Sequence, residues 1–401
     1  MSLRDARRAK QADPSIASQL PKGFWNLWVA VAVDLLGFGI IIPLLPLYAD
    51  SFGASPATIG LLFSSYALAQ FALSPWWGKL SDRVGRKPVL MVTIAGSAVG
   101  SIVLALAGSV WMLFLGRIID GMSGASVAVA RAAVADSSTP NNRARLMGLM
   151  GAAFGLGFII GPGIGALAAL GGLSLPYYVA AVIALINLAT VSLRVRETRP
   201  AVRSESRVLP GLADRPKPIV RLVVLTFLGI TAFSGFEATF ALLGEARFDM
   251  TAPIIAAVFA ALGVVLTVTQ AVMVGPLARS IGETNLVRLG LLVNVAGFLI
   301  TSVASTWPSL ALGLVGLAVG QGLTVPAVSS AIAGLSRRGE AGLMLGFQQS
   351  ASGLARGAGP ALGGVLFGAG VPLPYVLGAV LTLAALPLIP AAHMRPSPAE
   401  T

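Results

Sequence analysis

Residues 78–87 read Gly78-Lys79-Leu80-Ser81-Asp82-Arg83-Val84-Gly85-Arg86-Lys87, a densely charged turn between two apolar stretches, 58–77 and 88–108. A helix needs about 20 mainly apolar residues to cross the hydrocarbon core of a bilayer. Both flanking stretches have that length, so together they read as a membrane hairpin whose turn emerges on one face. Working outward, further apolar stretches occur at 24–48, 111–135, 145–170, 175–193, 220–243, 253–274, 285–305, 308–333, 342–368 and 372–392. Composition agrees. Of the 401 residues 56% are hydrophobic and 11% charged, with a mean hydropathy of +0.84, whereas soluble domains carry roughly a quarter of charged residues. The expected fold class is an all-α membrane protein with twelve transmembrane helices.

The basic residues predict the orientation. All 28 Lys and Arg except Arg117, Arg131, Arg247 and Arg356 lie in the N-terminal tail, in the even-numbered connections and adjoining span ends, or in the C-terminal tail. Lys and Arg accumulate on the cytoplasmic side, so the reading is a multi-pass protein of the cell (inner or plasma) membrane with both termini cytoplasmic. Arg247 falls in an outside connection, and the other three fall inside predicted spans. A net charge of +12, spread around the cytoplasmic rim, suits topology and anionic lipid headgroups better than nucleic acid, and no nucleic-acid partner is expected. Span one follows a polar tail and is too long for a signal-peptide core, so it stays as a helix. The chain has no cysteine, and its one histidine, His393, sits near the C-terminus. Disulfides, thiolate chemistry and a Cys-based metal site are excluded; no metal or cofactor is expected, and a proton carrier within the membrane must be a carboxylate.

The longest polar connection, rich in Arg, Pro, Ser and Glu, divides the apolar stretches six and six. Gly78, Leu80 and Gly85 recur as Gly275, Leu277 and Gly282. Likewise Gly148, Gly161, Pro162 and Gly165 recur as Gly346, Gly359, Pro360 and Gly363. Such self-similarity predicts two homologous, pseudo-symmetric six-helix halves: 24–193 and 220–392, joined by a linker at 194–219 and flanked by tails at 1–23 and 393–401.

The 78–87 turn matches the pattern G-x-L-x-D-R-x-G-R-K and, with the two halves, resembles the major facilitator superfamily over nearly the whole chain. That resemblance implies substrate binding near the midplane between parallel halves, and a latching role on the cytoplasmic side for Gly78, Asp82, Arg83, Gly85 and Arg86. On span five, Gly148, Gly157, Gly161, Pro162 and Gly165 resemble the antiporter pattern G-x8-G-x3-G-P-x2-G-G, with Ala166 in place of the last glycine. Small residues there permit close helix packing, and the proline a bend. Span one, Val33-Asp34-Leu35-Leu36-Gly37-Phe38-Gly39-Ile40-Ile41-Ile42-Pro43-Leu44-Leu45-Pro46, resembles the start of tetracycline/proton and other twelve-span drug/proton antiporters.

Charges deep in the spans nominate the site. Asp34 lies ten residues into span one, about 15 Å along the helix and close to the midplane. A carboxylate there is costly in hydrocarbon and belongs in the cavity between halves, unless an arginine pairs with it structurally. Span four carries Arg117 and Asp120 on one face, spaced to pair. Arg117 fits the family pattern R-x-x-x-G and in relatives is linked to proton transfer, whereas Asp120 stands where an uncharged residue is usual. Proton coupling is therefore read on Asp34, Asp120 and Arg117, with the titrating acid left open, and a purely structural Arg117–Asp120 pair is an equal alternative. For substrate contacts the candidates are Asp34; Glu237 with Phe233, Phe236 and Phe240, which suit a lipophilic cation if they do not face lipid; Arg356, answering Glu237, Asp34 or an anion; and Gln348 and Asn294, which interhelical hydrogen bonding explains equally well. Arg131 and Asp136, at the cytoplasmic end of span four, read as part of a gate with Asp82.

The resulting expectation is a proton-coupled antiporter that exports small hydrophobic or cationic compounds by alternating access, with small-molecule substrate, protons and the bilayer as partners, acting as a monomer. The alternative is a carrier of a physiological solute such as a sugar, amino acid or lipid. Relatives named for tetracycline carry acids in spans three and nine, and neither predicted span has one here. No G-x4-G-K-[ST] phosphate loop is present, which disfavours an ATP-driven pump; no soluble signalling domain supports a receptor, and no enzymatic activity is expected.

Overall fold

A computed structural model describes residues 20–21, 23–138, 143–197, 216–336 and 340–390. The predicted tails and linker fall wholly or largely outside these residues. The described chain is helical, and ten helices are long and apolar enough to cross a membrane: Phe24–Asp50, Pro56–Val84, Arg86–Ala105, Val110–Ser137, Leu146–Ala169, Leu175–Arg194, Lys217–Phe248, Ala252–Ile281, Glu283–Val303 and Trp307–Leu335. Ala341–Ala369 is equally long, but its glycines, serines and glutamines make it less apolar. Leu373–Leu388 is apolar and short. These two complete the twelve spans.

Helices are the required solution because hydrocarbon offers no partner to backbone N–H and C=O groups. Their ends are set locally. Ser55 caps span two by accepting from the Thr58 N–H at 3.2 Å, with Pro56 opening the helix. Thr306 and Ser309 form a reciprocal capping box at the start of span ten. Gly85 (φ 111°) and Gly282 (φ 81°) close the turns after spans two and eight, so the glycine repeat of the sequence marks two backbone positions that disfavour a Cβ. At Gly85 a side chain would also strike Glu197, whereas Gly282 has open space around it. Gly282→Ala should therefore cost only the conformational strain of about 1–3 kcal/mol, and Gly85→Ala the same strain together with the displacement of the Glu197 carboxylate from the Arg86 N–H. Thermal melting of the two purified variants measures the difference.

Two helices depart from the predicted single rods. Span four breaks into Val110–Ser123 and Ser126–Ser137, where the Gly124 carbonyl accepts from Gln70 Nε2 at 2.5 Å instead of continuing the helical ladder. Span eight runs on through a π turn, Thr269–Met273, to Ile281.

Packing shows the pseudo-symmetry directly. Spans 1·5, 1·6, 2·4, 3·4 and 3·6 pack within the first half. The same pairs advanced by six, 7·11, 7·12, 8·10, 9·10 and 9·12, pack within the second, and the halves meet through 2·11 and 5·8. Glycine permits these approaches. Gly39 meets Gly157 and Gly161 between spans one and five, and Gly235 meets Gly359 and Gly363 between spans seven and eleven. On the side away from the basic connections one apolar core, including Leu45, Leu62, Phe236, Phe240 and Tyr375, draws on both halves. On the basic side each half keeps its own core, one around Leu90, Val134 and Met150 and the other around Leu222, Leu286 and Ile332. The molecule is thus joined on the far side and divided on the basic side.

The far-side seam is tight. A Cβ at Gly60 would collide with the Pro360 carbonyl, Gly263 packs on the Phe158 carbonyl, and Ser64 Oγ donates to the Gly357 carbonyl at 2.6 Å. Gly60→Val should pry this seam open and disfavour the conformation seen here. Because the chain lacks cysteine, maleimide labelling of a single introduced cysteine on the basic side, Gly346→Cys, reads the shift: labelling should slow several-fold in the Gly60→Val background.

Candidate functional site

Asp34 and Asp120 line one cavity of about 40 Å³, together with Val33, Gly37, Tyr66, Ser97 and Gly124. This space exceeds the ~10–15 Å³ that one water requires. Asp34 is held from span four, where Ser126 Oγ donates to its Oδ2 at 2.6 Å. The break after Ser123 aims this hydroxyl, since Ser126 opens the second helical piece. Asp120 faces Arg117 one helical turn away, with Nη1 to Oδ2 at 3.4 Å. Arg117 is almost completely buried, at 1% exposure, and its guanidinium lies 4.1 Å from the centroid of the Tyr66 ring, in cation–π range. Its Nε has no hydrogen-bond partner among the described residues. Among the described residues Asp34 thus has a hydroxyl partner and no ion-pair partner, while Asp120 has the cation. Two carboxylates in electrostatic contact share one small space.

Tyr66, Ser97 and Ser126 were not among the predicted site residues. Tyr66 and Gln70 stand four apart on span two, with Gln70 Nε2 donating both to Tyr66 Oη at 3.2 Å and to Gly124. The spacing was visible in the sequence, but nothing in it said that span four would lie opposite.

In the second half, Glu237 is buried at 7% exposure and interacts electrostatically with Arg356, though no ion pair forms between them within 4.0 Å. Arg356 is half-buried and also acts on Tyr66 across the seam. Phe236 and Phe240 are core side chains, packed with Phe259 and, for Phe236, Tyr375; only Phe233 of the three is partly exposed. They do not ring Glu237 as an open aromatic cage, because the helix turns those faces toward spans eight and twelve. Asn294 is likewise buried between spans nine and ten, its amide oriented to donate to the Leu317 carbonyl at 3.1 Å and accept from the Gln321 N–H at 3.2 Å. Gln348 lines a second cavity, of about 110 Å³.

On the basic side Arg86 is the hub. It bonds Asp82 at 2.8 Å and Asp136 through both Nε and Nη2 at 2.9 Å, and its Nη1 donates to Ser81 Oγ at 2.5 Å. Its backbone N–H donates to Glu197 Oε1 at 2.7 Å. The structure brings Asp82, Arg86 and Asp136 together and adds Glu197, an acid isolated among arginines after span six. Arg131 stays apart, stacked over Phe154 at 5.1 Å, and Arg83 points outward, exposed. Arg86→Gln should loosen the ends of spans two and four at once, because its side chain holds Asp82 and Asp136, and lower the melting temperature by several degrees, whereas Arg83→Gln should leave it unchanged; the bond to Glu197 comes from the backbone N–H and stays. Gly157 and Gly161 carry the contact of span five with span one, and Pro162 lies within the continuous helix Arg143–Ala169.

Comparison with known proteins decides the family. The profile described as Major Facilitator Superfamily matches residues 27–299 and 227–401. The chain belongs to the Major Facilitator Superfamily. Its relatives within that superfamily include the class G tetracycline resistance protein of Vibrio anguillarum, 32% identical over 90% of this chain and 95% of the relative. Multidrug resistance protein 1 of Bacillus subtilis is 31% identical over 90% and 92%. The crystal structure of a human organic anion transporter superposes with a TM-score of 0.72 at 26% identity, covering 93% of this chain and all of that one. As a major facilitator this chain is a multi-pass membrane protein that handles a small molecule.

Proposed function

We propose that this major facilitator is a proton-coupled antiporter that exports small hydrophobic or cationic compounds by alternating access, with both termini cytoplasmic. The observation that carries the reading is the shared cavity of Asp34 and Asp120. The cavity sets two carboxylates against the one guanidinium of Arg117, a deficit of one positive charge, and either a proton or an organic cation entering the cavity makes it good. The two then compete for one site, which is the condition for exchange. Arg117 neutralises Asp120 and leaves Asp34 as the group that trades partners. The basic-side opening admits cargo from the cytoplasm under the predicted orientation, and the seam built on Gly60, Ser64 and Gly263 is the part that must part for release. Relatives named for multidrug and tetracycline resistance support export of foreign compounds. For tetracycline itself, no acid lies inside spans three and nine; Glu283 begins span nine at its rim, where it accepts from Ser330 Oγ at 2.5 Å.

The test uses purified protein in proteoliposomes with an entrapped pH indicator. Adding lipophilic cations should release protons in proportion to cation uptake. Cation movement without proton flux would replace antiport with facilitated diffusion, and a response to sugars alone would favour the physiological-solute alternative.

A further inference from the structure

The larger cavity of the second half is walled by spans seven, ten and eleven, and no charged side chain among the described residues lines it. Its polar lining is amide (Gln321, Gln348 and Gln349) and hydroxyl (Thr226, Thr324, Ser329 and Ser352). Most of these groups are already engaged. Thr226 and Thr324 donate to the Leu222 and Gly320 carbonyls of their own helices, and Ser329 donates to Gln348 Oε1 at 3.1 Å. Gln321 differs. It is 7% exposed, and its carboxamide makes no hydrogen bond among the described residues. Gln348 Nε2 reaches only Thr226 Oγ1 at 3.5 Å, a length at which little hydrogen bonding survives. The donor and acceptor of Gln321 are thus free to meet whatever enters the space of about 110 Å³ that it borders.

We propose that this cavity is a second subsite of the cargo, taking an uncharged group that both donates and accepts hydrogen bonds, such as a secondary amide or a diol. Gln321 supplies donor and acceptor, and Gln348 Nε2 a further donor. A carboxylate or ammonium group finds no counter-ion in the lining and is disfavoured there. Recognition is divided between the halves: the first offers carboxylates to positive charge, the second offers neutral hydrogen bonds. The inference rests on the export reading for the word cargo, but the binding it predicts is measurable without transport.

The test is equilibrium binding to the purified, detergent-solubilised protein with two probes. Tetraphenylphosphonium carries charge and no hydrogen-bonding group; chloramphenicol is neutral, with one secondary amide and two hydroxyls. Gln321→Met keeps the side-chain volume and removes the hydrogen bonds. It should weaken chloramphenicol about tenfold while leaving tetraphenylphosphonium within twofold, and Gln321→Asn should recover part of the loss. Asp34→Asn should show the opposite selectivity. An equal loss for both probes in Gln321→Met, no loss for either, or no binding of chloramphenicol to the wild type overturns the subsite. If tetraphenylphosphonium fails to bind the wild type while chloramphenicol binds through Gln321, the cationic export reading falls and the subsite stands.

Discussion

Asp34→Asn protein in proteoliposomes is expected to lose cation-driven proton release by at least two orders of magnitude while remaining folded. The substitution keeps the size of the side chain and leaves an oxygen to accept from Ser126, whose hydroxyl lies 2.6 Å from Asp34 Oδ2. It removes the one carboxylate of the shared cavity that has no cation of its own. Without it, proton and cation no longer compete at a common group, and the two fluxes uncouple. Ser126→Ala supplies the graded case. It deletes the hydroxyl and keeps the carboxylate, so coupling should persist with a changed pH profile and a loss of tenfold or less. Full proton release by Asp34→Asn would move the coupling elsewhere, with Asp120 the first alternative to substitute.

Asp120→Leu alone should be the most destabilising of the single substitutions considered. Arg117 is 1% exposed and its only ion-pair partner among the described residues is Asp120. Removing one member of a buried pair leaves an uncompensated charge, a penalty of about 3–5 kcal/mol, which the Tyr66 ring offsets only in part. Replacing both partners, as Arg117→Met with Asp120→Leu, removes the stranded charge, and the double variant should recover most of the melting temperature. It should not recover normal coupling, because the double variant also loses one acid of the cavity. Melting curves and proton flux on the two single variants and the double one separate these roles. A double variant no more stable than Asp120→Leu would show that the pair acts through packing.

How much of this was legible in the sequence follows from what each signal measures. Hydropathy and charge report the solvent of each segment, so twelve spans and their grouping were readable from composition along the chain. The glycine repeat reported backbone geometry as well, since Gly85 and Gly282 both hold positive φ. Asp34, Asp120 and Arg117 were readable because charge deep in a span is costly and therefore placed for a reason. Side-chain direction was not readable to the same degree. Phe236 and Phe240 have the spacing of an aromatic cage around Glu237, yet the packing of span seven against eight and twelve turns them into core. Asn294 has the polarity of a cavity residue, yet Gly320 opposite brings span ten close enough to bond it.

By itself, then, the sequence determined the membrane as solvent, the number of spans, the two-fold repeat and the identity of the buried charges, because each depends on local composition and periodicity. Only the tertiary structure decided that Asp34 and Asp120 share one cavity and that Glu197 joins the Arg86 network. It alone placed Arg131 on Phe154, and it left the Gln321 carboxamide without a hydrogen bond among the described residues beside an uncharged cavity. Those facts depend on which helix faces lie opposite each other across the glycine seams, a relation between residues far apart in the chain that no single segment encodes.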